Sequence, residues 1–480
     1  MRISVIPNRG TWIRTILWLV GLAVVFVVFA ELFAGSSILW DDSTLLVAGA
    51  VLSIALFSAL SRARARGIDA RRYFLMSVIT LLWFVVISEQ VFVHYGNTTA
   101  SASQGNFGVE AYQQVAAWGL AAVVLLIMTF TRPQYLRTIF SGSYKWVSFF
   151  AILAVASIPL SPSPKYSLAW AFKLVLTVLL LQACADSMEG DDDLVSFFYV
   201  FLAGFFGVIV LRLAHGLAGP EPLFQGGRLN KYASPPGLST MAGIVVLLSL
   251  TLVSLRRRGW LLFMAGFGLL VMLLAGGKAG IVAGVVSTIM FFAMQKRVRY
   301  ALGVLALFLI VGGVLLATTP LGKYFEDYGR SGEASTMTGR TGLWTAVWPA
   351  IMEKPIMGHG YVASRFLSFD LDTDLGWDPP HTHNSFLEPL YNNGIFGLLL
   401  VLIMNFIIIR NLLRVIRRPA NRAAYYLGIG GFAIYIDLFI CGMFNPTFGG
   451  EPDICFTMFL ALLVASVKLR EMTQSELTPS

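Results

Sequence analysis

Two histidines, His381 and His383, stand two residues apart near the end of a long polar stretch. The downstream apolar spacing predicts a helix that opens at Thr382 or His383, where the positive end of the helix dipole disfavours a protonated imidazole. A neutral histidine can accept a proton at pH 7. We therefore predict that His383 is a general base, with His381, Asn384 and Glu388 as candidates to support it. A packing or capping histidine is the alternative.

Three other cations could bind an anion. Arg340 follows Gly339 at a predicted helix start, where a guanidinium and backbone N–H groups suit a phosphate. Lys278 follows two glycines that allow a ligand to approach the backbone closely. Arg228 lies in a basic loop, and the same predicted face also carries Lys231, Arg212 and His215. Together they predict a site for a dianionic group such as pyrophosphate, although each could instead be an ion pair or an interface anchor.

The sequence predicts no metal site and no cofactor. Asp370, Asp372 and Asp374 alternate, but without the glycine and distal glutamate of a calcium loop. The cysteines lie in apolar runs without metal-ligand spacing; they are Cys184, Cys441 and Cys455.

The elements that position these residues are membrane helices. The 480 residues are 57% apolar and 13% charged, about half the charged fraction of soluble domains. Apolar runs of about 20 residues recur along the whole chain, each long enough to cross a bilayer. We predict an all-α protein with 12 to 14 spans. The segments are 12–34, 44–60, 73–93, 112–130, 146–160, 167–185, 194–213, 237–255, 260–276, 279–295, 300–317, 394–412, 423–444 and 452–468.

The net charge of +9 comes from basic residues in short loops, which is the pattern of cytoplasmic loops and not of a nucleic-acid surface. These residues include Arg62, Arg64, Arg66, Arg256, Arg257, Arg258, Lys296, Arg297, Arg410, Arg414, Arg417 and Arg418. Both termini are therefore expected in the cytoplasm, and the candidate residues on the opposite side of the membrane. No nucleic-acid partner is expected.

The segment 318–393 is too long for a simple connector and should be structured. Leu343, Val347, Ala350 and Ile351 have helical spacing, with a kink or break at Pro349. A second short helix is expected to run from His383 to Gly394. The sequence thus divides into helices over 1–317, a catalytic loop over 318–393, helices over 394–470 and a cytoplasmic tail over 471–480.

Two motifs in this region resemble a known family. His383-Asn384 is followed by nine residues and Gly394-Ile-Phe-Gly397. Upstream, Thr338-Gly-Arg-Thr-Gly-Leu-Trp344 precedes Pro355-x-x-Gly358-x-Gly360. These motifs resemble those of the O-antigen ligases, whose superfamily also includes O-antigen polymerases and bacterial O-linked oligosaccharyltransferases. The resemblance extends over roughly residues 210–450.

The resemblance implies a multi-pass inner-membrane glycosyltransferase with a GT-C-like architecture and a periplasmic site. Such a ligase transfers a glycan from undecaprenyl pyrophosphate to a sugar hydroxyl of lipid A-core, with membrane lipids around it and without metal or nucleotide. The residue matching His383 would deprotonate the acceptor, and those matching Arg340 and Lys278 would hold the pyrophosphate. The family usually has arginine at position 278, and lysine keeps the charge but loses the bidentate fork. Direct displacement would invert the sugar.

Two kinds of alternative remain open. Within the superfamily, the chain could be an O-antigen polymerase or a protein-glycan ligase. A lipid or polysaccharide transporter would be a different class, and it should carry ionisable residues near the bilayer midplane and paired half-chain repeats. Here the candidate residues cluster at one face, with Arg212 and Asp437 as near exceptions, so the sequence favours the ligase.

Overall fold

The structure is a computed structural model that describes residues 70–92, 109–131, 139–219, 221–225, 228–230, 233–330, 339–367 and 379–477. The predicted spans at 12–34 and 44–60 lie outside these residues. So do Lys231, Asp370, Asp372 and Asp374.

The described chain is almost entirely α-helical. Its helices are α1 (Ala70–Phe92), α2 (Val109–Thr131), α3 (Lys145–Ala156), α4 (Pro164–Ser187), α5 (Asp191–Ala218), α6 (Pro235–Leu255), α7 (Gly259–Ala275), α8 (Lys278–Met294), α9 (Val298–Thr318), α10 (Leu321–Arg330), α11 (Arg340–Glu353), α12 (Leu387–Arg417), α13 (Arg422–Gly442) and α14 (Ile454–Leu477). Between α5 and α6, β1 (Phe224–Gln225) pairs antiparallel with β2 (Arg228–Leu229). Short 3-10 turns span Ile158–Leu160 and Ala363–Phe366.

Every predicted span from 73–93 onward coincides with a helix, and the remaining two helices, α10 and α11, lie in the predicted catalytic loop. Six of the described helices are long and apolar enough to cross a membrane: α4, α5, α6, α9, α12 and α13. Shorter apolar segments occur in α1, α2, α3, α7 and α8. The predicted class, an all-α multi-pass membrane protein, is confirmed.

Helix α6 is at the centre of the bundle. It packs against α5, α7, α8 and α13, and its residues from Leu238 to Ser249 are buried on every side. A helix that is apolar all round is stable when other helices cover every face. Helix α9 is the opposite case, since only 6% of its apolar membrane-spanning stretch is buried inside the protein. The candidate site is therefore built around α6.

One end of the bundle collects the segments that carry the candidate residues. Thr240, near the start of α6, contacts Cys441, near the end of α13. Ser239 donates to the carbonyl of Gly277, in the turn between α7 and α8. Ser385 lies beside Asn445, so the start of α12 meets the same end. Within the described residues, the turns at 233–234, 276–277, 379–386 and 443–453 thus lie at this end.

Helix α11 forms where the apolar spacing predicted it, and it begins at Arg340 as expected. Leu343, Val347 and Ile351 are buried against Ala363, Leu367 and Tyr391. The predicted break at Pro349 is wrong, because α11 continues through this residue to Glu353. A proline removes one backbone hydrogen bond, and here packing of the apolar face outweighs that loss.

The predicted second short helix and the following span form one element, α12, which bends at Gly394. Gly394 has φ 62° and ψ −158°, a conformation that only glycine adopts readily. The 354–360 turn packs directly on this bend: a Cβ added at Gly358 would lie 2.5 Å from both the Asn392 carbonyl oxygen and the Gly394 nitrogen. The glycines of the two motifs are thus packing positions that bring the loop against α12.

Candidate active site

His383 lies in the turn that precedes α12. The prediction that it sits in the first helical turn is wrong, because α12 begins at Leu387. The Asn384 side-chain oxygen accepts hydrogen bonds from the backbone N–H groups of Phe386 (2.8 Å) and Leu387 (3.1 Å), and so it caps the helix. His383 itself has φ 52°, a conformation that is uncommon outside glycine and that concentrates at functional sites.

Glu388 stabilises the turn that contains His381 and His383, which we call the histidine turn. Its carboxylate is buried and accepts hydrogen bonds from Thr382 N (2.9 Å), Thr382 Oγ1 (2.7 Å), Ser364 Oγ and Asn392 Nδ2 (3.4 Å). A buried carboxylate is tolerated when it is this well hydrogen-bonded. Glu388 therefore supports the backbone of the turn, whereas the ring of His383 meets a different residue.

That residue is Asn445, which the sequence reasoning missed. Its side-chain oxygen lies 3.3 Å from Nδ1 of His383 and 3.5 Å from Nη2 of Arg340. The Arg340 guanidinium also stands over the ring of Phe444, 5.8 Å from its centroid. The structure thus brings the predicted base and the predicted anion-binding arginine together, through the loop that follows α13.

His381 stacks beside His383, with ring centroids 4.0 Å apart. Its Nδ1 accepts a hydrogen bond from the backbone N–H of His383 at 3.1 Å. Burial, assisted by the positive charge of Arg340, lowers the pKa of His383 from 6.5 to about 4. Burial also lowers the pKa of His381, with smaller contributions from His383 and Arg365. Both shifts favour the neutral rings near pH 7, and burial rather than a helix dipole is their main cause.

A second polar group flanks the histidines and was also missed. Arg365 forms an ion pair with Glu451 at 3.0 Å, and the Tyr166 hydroxyl donates to the same carboxylate at 2.8 Å. Arg365 also donates to the carbonyl of Pro380, just before His381, at 3.3 Å. This group ties the start of α4, the 3-10 turn and the 443–453 loop to the histidine turn.

Lys278 and Arg228 meet at one tyrosine. The ammonium of Lys278 stands 5.2 Å from the centroid of the Tyr324 ring, and the Arg228 guanidinium carbon stands 5.3 Å from it. Arg228 Nη1 also lies 3.4 Å from the Tyr324 hydroxyl. Gly276, at φ 65°, turns the chain tightly beside Arg228. Tyr324, on α10, was not singled out in the sequence, and it brings these two predicted cations together.

Arg212 and the turn before Lys278 both lie against the start of α6. A Cβ added at Gly237 would lie 3.1 Å from Nη1 of Arg212, which places Arg212 against the first turn of α6. Ser239, in the next turn, contacts the Gly277 carbonyl next to Lys278. His215 follows one turn after Arg212, close to the end of α5. The predicted cations therefore occur in separate places: Lys278 and Arg228 lie at Tyr324, Arg340 lies at Asn445, and Arg212 lies against the first turn of α6.

The Tyr324 contact leads to a prediction for Lys278. Lys278→Ala should lower transfer by about 10²-fold, since a cation that stabilises developing charge is typically worth that much or more. Lys278→Arg should stay within about tenfold of wild type, because the charge over Tyr324 remains. The exposed neighbour Lys323→Ala is the matched control and should be neutral. Transfer rates of the purified variants check this, and equal losses in both Lys278 variants would show that charge alone does not explain its role.

The chain is similar to known proteins over the region that holds this site. Residues 242–402 match the family described as O-Antigen ligase (Wzy_C). This range includes Lys278, Arg340 and His383, and the resemblance predicted from the motifs is confirmed there. Asn445 lies beyond its end.

The chain is also 26% identical, over 283 residues, to the exopolysaccharide production protein ExoQ of Rhizobium meliloti (strain 1021). The match covers 54% of this chain and 63% of that relative. It therefore spans less than two thirds of the relative's length.

Proposed function

We propose that this chain, an enzyme of the O-antigen ligase/polymerase type by its match over residues 242–402, transfers a glycan from undecaprenyl pyrophosphate to a sugar hydroxyl of lipid A-core. The reaction takes place at the periplasmic face of the bacterial inner membrane. It needs neither a metal nor a nucleotide, because cations of the protein stabilise the leaving group. The observation that carries the proposal is the contact of a neutral histidine and an arginine with one amide, His383 and Arg340 with Asn445.

The chemistry follows from these groups. His383 takes the proton of the acceptor hydroxyl as the hydroxyl oxygen bonds to the anomeric carbon. The bond from that carbon to the pyrophosphate breaks, and its electron pair leaves with the pyrophosphate. Arg340, Lys278 and Arg228 stabilise the additional negative charge. Attack on the side opposite the leaving group inverts the anomeric centre.

The neutral form of the histidine supports its role as a base, although a pKa of about 4 also makes the ring a weaker proton acceptor than one that titrates near pH 7. A histidine with a pKa of about 4 is almost fully deprotonated at pH 7, so its lone pair is available. The nearby cation serves two purposes, since it keeps the imidazole neutral and attracts the phosphate. Proton acceptor and anion site then lie within reach of one sugar linkage.

The second candidate is a polymerase, and the similarity to an exopolysaccharide production protein favours it. The donor and the chemistry would be the same. The acceptor would be the terminal sugar of another lipid-linked glycan instead of lipid A-core. The acceptor is therefore the point at which the two candidates differ.

An in vitro transfer assay separates the candidates. The purified protein in detergent receives a glycan on undecaprenyl pyrophosphate, with either rough lipopolysaccharide or a second lipid-linked glycan as acceptor. We expect capped lipopolysaccharide in the first reaction. Longer lipid-linked chains in the second reaction, with no capped product in the first, would establish the polymerase instead. Absence of product with both acceptors would refute the proposed transfer.

A further inference from the structure

The side-chain oxygen of Asn445 faces two nitrogens at once. Nη2 of Arg340 lies 3.5 Å away and Nδ1 of His383 lies 3.3 Å away. A guanidinium has donors and no acceptor, so the atom that faces it must be the amide oxygen and not the amide nitrogen. The contact with Arg340 therefore fixes which way the Asn445 amide is turned.

The orientation of this amide, together with a hydrogen bond from the ring to the backbone of Phe444, decides where the proton of His383 sits. An amide oxygen only accepts hydrogen bonds, so Nδ1 of His383 must be the donor in this contact. A neutral imidazole carries one proton, and if Nδ1 holds it then Nε2 has the free lone pair. His381 has the opposite tautomer, because its Nδ1 accepts a hydrogen bond from the backbone N–H of His383 at 3.1 Å. The proton of neutral His381 is then on Nε2.

We infer that Asn445 is a positioning residue, which holds the proton of His383 on Nδ1 so that Nε2 takes the proton of the acceptor hydroxyl. This inference rests on the proposed function. Asn445 itself touches no reacting atom. It links the base to the phosphate-binding arginine, since its one oxygen accepts from both. The arrangement matches the histidine–partner pairs in which a hydrogen bond at one ring nitrogen sets the role of the other.

Two variants of Asn445 test this inference. Asn445→Ala removes the acceptor and should lower kcat by about 10 to 100-fold, the usual cost of losing such an orienting partner, with the acceptor KM within about threefold of wild type. Asn445→Asp keeps the shape and the acceptor oxygen but adds a negative charge beside Nδ1. That charge stabilises the imidazolium and raises the pKa of His383.

The pH profile distinguishes positioning from a merely structural role. Wild-type kcat/KM should fall only as the pH approaches about 4, where His383 becomes protonated. We call this fall of kcat/KM at low pH the acidic limb of the profile. In Asn445→Asp the acidic limb should move to higher pH by about one unit or more, and activity should recover as the pH rises. The charged and titratable groups around His383 are Arg340, His381 and Arg365, and all three are unchanged in this variant.

Thr447→Ala is the matched control. Thr447 lies in the same loop; its hydroxyl donates to the carbonyl of Leu438 at 2.8 Å and lies 3.4 Å from the Ser385 hydroxyl. Its removal loosens the loop without adding charge, so the acidic limb should stay in place. The melting temperature of each variant reports on folding.

The results distinguish a failure of the inference about Asn445 from a failure of the proposed function. Full activity in Asn445→Ala, or an unmoved acidic limb in Asn445→Asp, overturns the inference even if His383→Ala is inactive. An active His383→Ala overturns the proposed base and this inference with it. A shifted limb in Asn445→Asp, together with low kcat in Asn445→Ala, supports Asn445 as the residue that sets the proton on His383.

Discussion

Replacing His383 with alanine is expected to lower glycan transfer by about 10²–10⁴-fold, the usual contribution of a general base, while the folded protein still binds its lipid donor. The ring is half-buried and contacts the side chain of Asn445 and the backbone of Phe444, so truncation removes the proton acceptor with little loss of packing. Arg340 remains to hold the phosphate. Transfer rates and donor affinity should be measured on the same preparation, the affinity by native mass spectrometry.

His359 is the matched control for this experiment. It lies in the same region, but its ring stacks on Tyr391 at 4.4 Å and its Nε2 contacts the Ala350 carbonyl at 2.8 Å. These are packing contacts inside the loop. His359→Ala should therefore lower the melting temperature and keep kcat per folded molecule within about threefold of wild type. Transfer by His383→Ala within about threefold of wild type would exclude the base role.

Arg340→Ala is expected to have two separate effects. Donor affinity should fall and kcat should drop by about 10²–10³-fold, because one fewer cation stabilises the leaving pyrophosphate. The positive charge of Arg340 also contributes to the low pKa of His383, after burial. Loss of this charge should raise the pKa of His383. As the pH is lowered, activity should therefore begin to fall at a higher pH than in wild type.

Arg340→Lys separates the two effects. Lysine keeps the charge, so the acidic limb should stay close to that of wild type. It loses the planar fork that can contact Asn445 and a phosphate together, so donor affinity should still decrease. Donor and acceptor KM values at several pH values provide the test. A change confined to acceptor KM would contradict the assignment of Arg340 to the donor.

Much of the fold could be predicted from local sequence. Apolar runs near the length of a bilayer located the helices from residue 70 onward, except α10 and α11, since in a membrane the backbone satisfies its hydrogen bonds within each helix. The start of α11 at Arg340 was also predicted, and α8 begins at Lys278, one residue before the predicted span. The start of α12 was misplaced, since Asn384, and not Thr382 or His383, caps the helix.

The partners of the site residues could not be predicted in the same way. Asn445 is 62 residues from His383 and 105 from Arg340, and Tyr324 is 96 from Arg228. Periodicity reports which face of a helix is buried, but it contains no information on which turns meet. One signal was present: Asn445 directly follows a predicted span, on the face assigned to the candidates. A polar residue at such a boundary deserved the same scrutiny as the histidines.

The contact between Gly358 and the Gly394 bend has a consequence for related sequences. A Cβ at Gly358 would meet the backbone at Asn392 and Gly394, and a Cβ at Gly394 would meet the backbone at Ile356 and Met357, so a change at one glycine cannot make room for a side chain at the other. The two motifs should therefore be gained and lost together during divergence. Their co-occurrence is then a better marker of this architecture than overall identity, which is already as low as 26% for the relative from Rhizobium meliloti. A search that requires both glycines at once should recover distant homologues that build the same turn against the same helix.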